Sequence, residues 1–300
     1  MNKNKHKKVT AISFAVLAAA FYAVNMPFSK LLLESVGATM LAGLLYIGAG
    51  IGIGCVYFIR KGKIPAEKKI GRGDIPYAVA MILLDIAAPI LLMLGLKSAS
   101  AANASLLNNF EIVATTVIAF LFFKEAVSPR LWTAIGLITL SSIILSFEDM
   151  SSFVFSWGSL LVLAATVCWG MENNCTRKIS DKSAYEIVML KGLFSGFGSV
   201  IIAFMVGEKP PQLKYILFAL LLGFVAYGLS ITFYVTAQNT LGAAKTSAYY
   251  AVAPFIGALL SAVFLRERIT VQYLIALAVM LFGSSLAAFD TLKQDNTASI

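Results

Sequence analysis

Histidine and charge are what this sequence has least of. A single histidine, His6, stands among 300 residues, and charged residues make up only 13%. No histidine falls inside an apolar stretch, and neither H-E-x-x-H nor G-x-S-x-G occurs. The nucleophile–base and metal constellations of a membrane-embedded enzyme are therefore not present, and an enzyme is not expected. Cysteine is scarce as well. Cys55, Cys168 and Cys175 all lie in apolar stretches. The last two are two helical turns apart, roughly 10 Å, too far to bridge. No disulfide framework, metal-ligand spacing or cofactor motif is expected. Long polar stretches are missing too, which leaves no room for a separate soluble domain.

What is present is apolar. The chain is 59% hydrophobic, against about 45–50% apolar and about 25% charged in soluble domains. A water-soluble fold of this length cannot hide that excess, so the excess must face lipid. Apolar runs fall at approximately 9–33, 38–59, 75–96, 101–123 and 130–147, then at approximately 156–177, 185–207, 215–237, 243–265 and 270–289. Each is long enough for a helix of roughly 20 residues to span a bilayer. Barrel strands would be half as long and would alternate in polarity. The expected class is an all-α integral membrane protein with ten transmembrane helices. The first run, preceded by Lys3, Lys5, Lys7 and Lys8, also has the look of a signal peptide. It continues past Asn25 and Pro27 to Leu33, however, and it has a partner in the second half.

The formal charge of +9 does not point to nucleic acid, because the basic residues sit at the edges of the apolar runs. With the N-terminus inside, 17 of the 24 Lys and Arg residues fall on the inner side, including the Arg60–Arg72 loop, Lys124, Arg130, Arg177, Lys178, Lys182, Lys245 and Lys293. Lys30, Lys97, Lys209, Lys214, Arg266 and Arg268 fall outside. The positive-inside rule then places both termini in the cytoplasm of a plasma (inner) membrane.

Two segments repeat. Ala101 to Glu125 and Ala243 to Glu267 align without gaps, so that Ala101, Ala102, Ser105 and Glu125 meet Ala243, Ala244, Ser247 and Glu267. LAAAFYA at Leu17 pairs loosely with LAATVCWG at Leu163, and Lys30 falls opposite Arg177. Five spans per half make the second copy enter from the opposite side, the inverted repeat of many secondary transporters. The expected units are 1–147 and 156–289, with a polar tail at 290–300.

The closings FLFFKE (to Glu125) and FLRE (to Glu267), and the CWG at Cys168–Gly170 with Arg177 beyond it, resemble the EamA-type family of the drug/metabolite transporter superfamily. The first-half signature is degraded to Phe21-Tyr22-Ala23, with Lys30 retained. The resemblance covers nearly the whole chain. It implies two inverted five-helix repeats around a central substrate cavity lined mainly by helices 1, 3, 4, 6, 8 and 9.

An ionisable side chain at bilayer depth costs about 2.5–3.5 kcal/mol on insertion scales, so each needs a partner, a cavity or a job. Asp85 lies mid-run in MILLDIAAPI and Glu111 mid-run in LLNNFEIVA. Ala104, Asn108, Glu111 and Thr115 share a helical face, so Asn108 and Thr115 could hold substrate or the carboxylate. A carboxyl there can exchange a proton for a cationic substrate. Equally, Glu111 can tie its helix to a neighbour. The resembled family often has Glu-Pro at that point, where this chain has Ile112. Glu172, in WGMENNCTRKIS, reads as a helix-end polar group that pairs with Thr176 or Arg177. Lys191 reads as snorkelling to the interface, or else as the countercharge to Glu172. Tyr22, Asn25, Trp169 and Tyr250 complete the candidate site, and Tyr227 and Tyr249 are further aromatics that could wall a cavity. Aromatic rings beside a carboxylate suit an organic cation.

Pro27, Pro89 and Pro254 are kink candidates. Gly48–Gly52, Gly50–Gly54 and Gly192–Gly196 read as close-packing pairs. The expected partners are a small solute, with an organic cation among the classes that fit, the lipid bilayer and protons, with no nucleic acid; a homodimer is compatible with the sequence. The expectation is a transporter that exports by alternating access. A channel or a lipid-handling protein is the alternative.

Overall fold

The computed structural model describes residues 2–60, 69–124, 127–149, 154–179, 182–241, 246 and 249–297. Glu125, Ala243, Ala244, Lys245, Ser247 and most of the Arg60–Arg72 loop lie outside the described residues.

Helices make up nearly all of the described chain. Helix α1 (Asn2–Ala23) gives way at Val24 to α2 (Asn25–Leu32). Pro27 sits just beyond this break, where it has no N–H to donate back into α1. Helix α3 (Ala38–Arg60) is followed by α4 (Ile75–Ser98). Pro89 lies inside α4 without ending it. Helices α5 (Ala101–Leu107) and α6 (Phe110–Phe123) form one broken rod, with the break at Asn108–Asn109. Helix α7 (Pro129–Ser146) leads into a short antiparallel hairpin, β1 (Phe147–Asp149) with β2 (Val154–Phe155). Helix α8 (Trp157–Lys178) opens the second half.

Helix α9 (Ala184–Leu190) continues through a π turn, Lys191–Ser195, into α10 (Gly196–Met205). Helix α11 (Leu213–Gly223) continues through a second π turn, Phe224–Leu229, into α12 (Ser230–Leu241). Helix α13 (Ala253–Phe264) starts at Pro254, which occupies a first-turn position where its missing N–H costs nothing. Helix α14 (Val271–Thr297) runs through the residues expected to form a polar tail, so that segment is helical to Thr297.

Eight stretches are long and apolar enough to cross a bilayer: Val9–Leu32, Ala38–Arg60, Arg72–Ser98, Ala101–Phe122, Pro129–Ser146, Ala184–Met205, Leu213–Tyr234 and Val271–Asp290. Helix α8 has the length, but Glu172, Asn173 and Asn174 dilute its second half. Helix α13 is a shorter apolar helix of 12 residues. Large apolar side chains such as Leu83, Leu121, Phe122, Ile201, Phe218, Leu259 and Phe282 point outward. A surface of that kind belongs against lipid tails, not water.

Helix α3 is central. Its buried face packs on α10, α11 and both π turns. Gly48 abuts the Leu220 carbonyl, Gly50 abuts Gly192 and Leu193, and Gly196 faces Gly43. A Cβ at Gly48 would run into backbone, so the close-packing reading of these glycines holds within the chain. Elsewhere α4 packs on α8, α7 on α14, α1 on α12 and α13, α5 on α13, and α6 on α8.

The end of the bundle where α2 finishes and α3 begins is tied by charge. The Glu208 carboxylate accepts from the backbone N–H groups of Thr39 (3.1 Å) and Met40 (2.7 Å) at the start of α3. Glu267 does the same for Ala101 (2.7 Å) and Ala102 (2.8 Å) at the start of α5. The Lys30 ammonium donates to the carbonyls of Leu96, Lys97 and Ala99 at the end of α4. Each pairing sets charge against the helix end of opposite dipole.

Candidate functional site

Four helices bring ionisable groups together midway along the bundle. Asp85 comes from the middle of α4 and is completely buried. Lys191 opens the first π turn. Its Nζ lies 3.0 Å from Asp85 Oδ2 and 3.2 Å from Glu172 Oε1 of α8. Tyr46, from α3, donates to Asp85 Oδ1 at 2.9 Å, and Trp169 Nε1 donates to Tyr46 Oη at 3.4 Å. Glu172 also accepts from Thr176 Oγ1, one turn on.

This corrects two readings. Lys191 does not snorkel: its side chain is 13% exposed and bridges two carboxylates, so the other reading, countercharge to Glu172, is the one that holds, with Asp85 added. The reason is energetic. A carboxylate as deeply buried as Asp85 needs a charged partner more than an ammonium needs the interface. Glu172 keeps its local bond to Thr176, but it is a buried member of the cluster rather than a helix-end group.

Glu111 stands beside the cluster at the start of α6. Asn173 Nδ2 donates to Glu111 Oε1 at 2.6 Å and lies 3.3 Å from Thr115 Oγ1, while Asn174 reaches the Thr115 carbonyl at 3.1 Å. The expected holders of Glu111 were Asn108 and Thr115. Thr115 shares the Asn173 amide with it, but Asn108 turns away to donate to Tyr22 Oη at 3.3 Å. The break at Asn108–Asn109 explains the turn, because the smooth helical face assumed for Ala104 to Thr115 is interrupted there.

Aromatic rings close the other side. Tyr22 meets Tyr227 edge-on at 5.8 Å and Tyr250 at 6.0 Å, and Tyr46 meets Tyr227 at 5.2 Å. Asn25, fully buried just after the α1–α2 break, donates to Tyr227 Oη at 3.0 Å and accepts from Ser29. Tyr250 lies 3.3 Å from Ser230, whose hydroxyl also bonds the Ala18 carbonyl. All nine sequence candidates thus belong to one connected region. Lys191 completes it in the role of countercharge to Glu172 that the sequence offered, and Tyr46, Asn173 and Asn174 complete it as residues missed in the sequence. Tyr46 had a readable signal, since it sits mid-run in GLLYIGAG rather than at an interface.

Beside Tyr46, Lys191, Gly192 and Tyr227 there is space of about 10 Å³, close to what one water needs. Ion pairs and aromatic rings of the described residues surround that space. A roomier cavity of about 460 Å³ opens elsewhere, at the end tied by Glu267, lined among others by Asn103, Ser159, Gln272 and Tyr273. No group of residues suited to hold a metal ion occurs among the described residues.

Comparison with known proteins fits a transport fold. The EamA-like transporter family model matches residues 9–147 and 156–289. An uncharacterised transporter of Methanothermobacter thermautotrophicus is 27% identical over 291 residues, covering 89% of this chain and 83% of that protein. A protein of known crystal structure superposes with a TM-score of 0.68 over 94% of this chain and 96% of its own, at 17% identity. That likeness speaks to fold.

Proposed function

The chain belongs to the EamA-like transporter family, and from that premise we propose that this multi-pass membrane protein is a proton-coupled secondary transporter that exports a small, cationic metabolite or drug-like solute by alternating access. On this reading it performs no chemistry on its cargo. The observation that carries the proposal is the buried cluster of Asp85, Glu172 and Lys191 with Glu111 beside it. Groups so costly at mid-depth are retained where they bind, relay or exchange charge.

Ten crossings, as two inverted repeats, complete the reading, with α8 and α13 supplying the two beyond the eight most apolar stretches. The packing supports this. Exchanging the halves takes α1 to α8, α4 to α12 and α6 to α13. The α4–α8 contact then becomes α12–α1, and α6–α8 becomes α13–α1, both of which occur. The basic asymmetry of the sequence supports cytoplasmic termini and a plasma-membrane location. Reporter fusions in the Arg60–Arg72 loop and at the C-terminus should both read cytoplasmic; a periplasmic signal from either would overturn the topology.

The functional test begins with a thermal-shift ligand screen on purified protein and continues with flux in liposomes. Saturable flux driven by a proton gradient is the expected result. Flux that never saturates would make the protein a channel instead.

A further inference from the structure

This inference rests on the reading above that Asp85 and Glu172 belong to the transport site. One ammonium, that of Lys191, touches carboxylates from two helices, α4 and α8, at 3.0 and 3.2 Å. Around it stand Tyr46, bonded to Asp85, then Trp169, bonded to Tyr46, and Tyr227, whose ring lies 5.2 Å from that of Tyr46. Carboxylates backed by aromatic faces are what an organic cation would seek. Here that place is taken by a side chain of the protein itself.

We propose that Lys191 is a resident cation that fills the empty transport site, and that an organic cation binds by taking over the carboxylates of Asp85 and Glu172 while Lys191 swings aside. Three features of the structure carry this. The resident is a lysine, a compact charge on a flexible stem, rather than an arginine, whose planar fork would grip both carboxylates. It opens a π turn. Such a turn closes its bonds one residue later than an α-turn and recurs at functional sites; a shift between the two patterns re-aims the residue at its start. Finally, the small space between Lys191, Gly192, Tyr46 and Tyr227 adjoins tyrosine faces toward which the ammonium can move.

The exchange also satisfies the electrostatics. Removing the cation alone would strand buried carboxylates. An incoming cation keeps both carboxylates paired, and the displaced Lys191 ammonium, which now adds one positive charge to the region, is met by the tyrosine faces beside the small space. The cost is affinity. A ligand that must first displace a resident binds more weakly by the fraction of molecules in which the site is free.

The probe is tetraphenylphosphonium, with binding measured calorimetrically on the purified full-length protein at fixed ionic strength. Lys191→Met should bind it at least about tenfold more tightly than wild type, and Lys191→Arg several-fold more weakly. A second readout needs no variant. Reductive methylation followed by mass spectrometry should find Lys191 protected in the unliganded protein and labelled when the probe is bound. Should Lys191→Met fail to fold, Lys191→Arg and the labelling decide the question. If Asp85→Asn leaves probe binding unchanged, the transport-site reading fails. If Asp85→Asn weakens binding while Lys191→Met binds no tighter and Lys191 stays protected, that reading stands and the resident-cation role is overturned. Absence of binding to wild type and to every variant overturns the organic-cation class and this proposal with it.

Discussion

Two sets of charges stabilise this bundle, and they are satisfied in different ways. At the end where α2 meets α3, Glu208, Glu267 and Lys30 bond to backbone groups at helix termini. Midway along, Asp85, Glu172 and Lys191 bond to one another and to Tyr46 and Thr176. A helix terminus is a fixed partner: it neither titrates nor leaves. A side chain can be protonated, displaced or re-aimed. The comparison separates charges that build the protein from charges that can work in it, and each of the following measurements can break that separation.

The largest effect is expected on transport. Asp85→Asn or Glu111→Gln preserves size and hydrogen bonding but removes titration, so proton-driven flux in proteoliposomes should fall to background. Counterflow exchange, which needs no net proton movement, should persist. Wild-type flux with wild-type pH dependence in both variants would remove these carboxyls from the coupling site.

Next comes stability. Lys191→Met leaves two buried carboxylates without their ammonium, and breaking a buried pair costs about 3–5 kcal/mol. Thermal unfolding should show the loss, and the double variant Asp85→Asn/Lys191→Met should recover part of it, Glu172 remaining without its ammonium. No recovery would mean that the two residues are not coupled.

At the helix-end charges the effect should be smaller and of another kind. Glu267→Gln weakens a charged cap on α5, at about 1–2 kcal/mol. The melting temperature should drop while the pH profile of flux keeps its shape. A displaced profile would place Glu267 among the working charges. Smallest is Trp169→Phe, which removes one long bond to Tyr46 and should cost about 0.5 kcal/mol or less. A large loss of probe binding with little loss of stability would instead give the indole a direct role in the site.

Much of this was legible in the sequence, for a physical reason. Lipid exposure imposes long apolar runs, so the eight most apolar stretches could be read directly, and the cost of charge at depth picked out Asp85 and Glu111. Partners could not be read that way. Lys191 meets Asp85 across more than a hundred residues, and nothing local in either helix specifies the other. Asn173 and Asn174 looked like the frayed end of α8, because adjacent polar residues in a helix ordinarily mark an interface. Nor did any proline announce the π turns at Lys191–Ser195 and Phe224–Leu229, whereas Pro27 and Pro254 did mark breaks.

The π turns have a consequence for how this chain can vary. Each spends one residue more than an α-turn in covering its stretch of helix. The surplus is local, because α9 and α10 on either side of the first turn keep ordinary α-helical phase. Excising one residue from Lys191–Ser195, with Lys191 itself retained, would heal the turn and leave each flank in register with α3. In an ordinary helix the same deletion would rotate everything beyond it by about 100°. Among the described helices, α9–α10 and α11–α12 are therefore two places where this membrane bundle can absorb a single-residue change in length without rebuilding its packing.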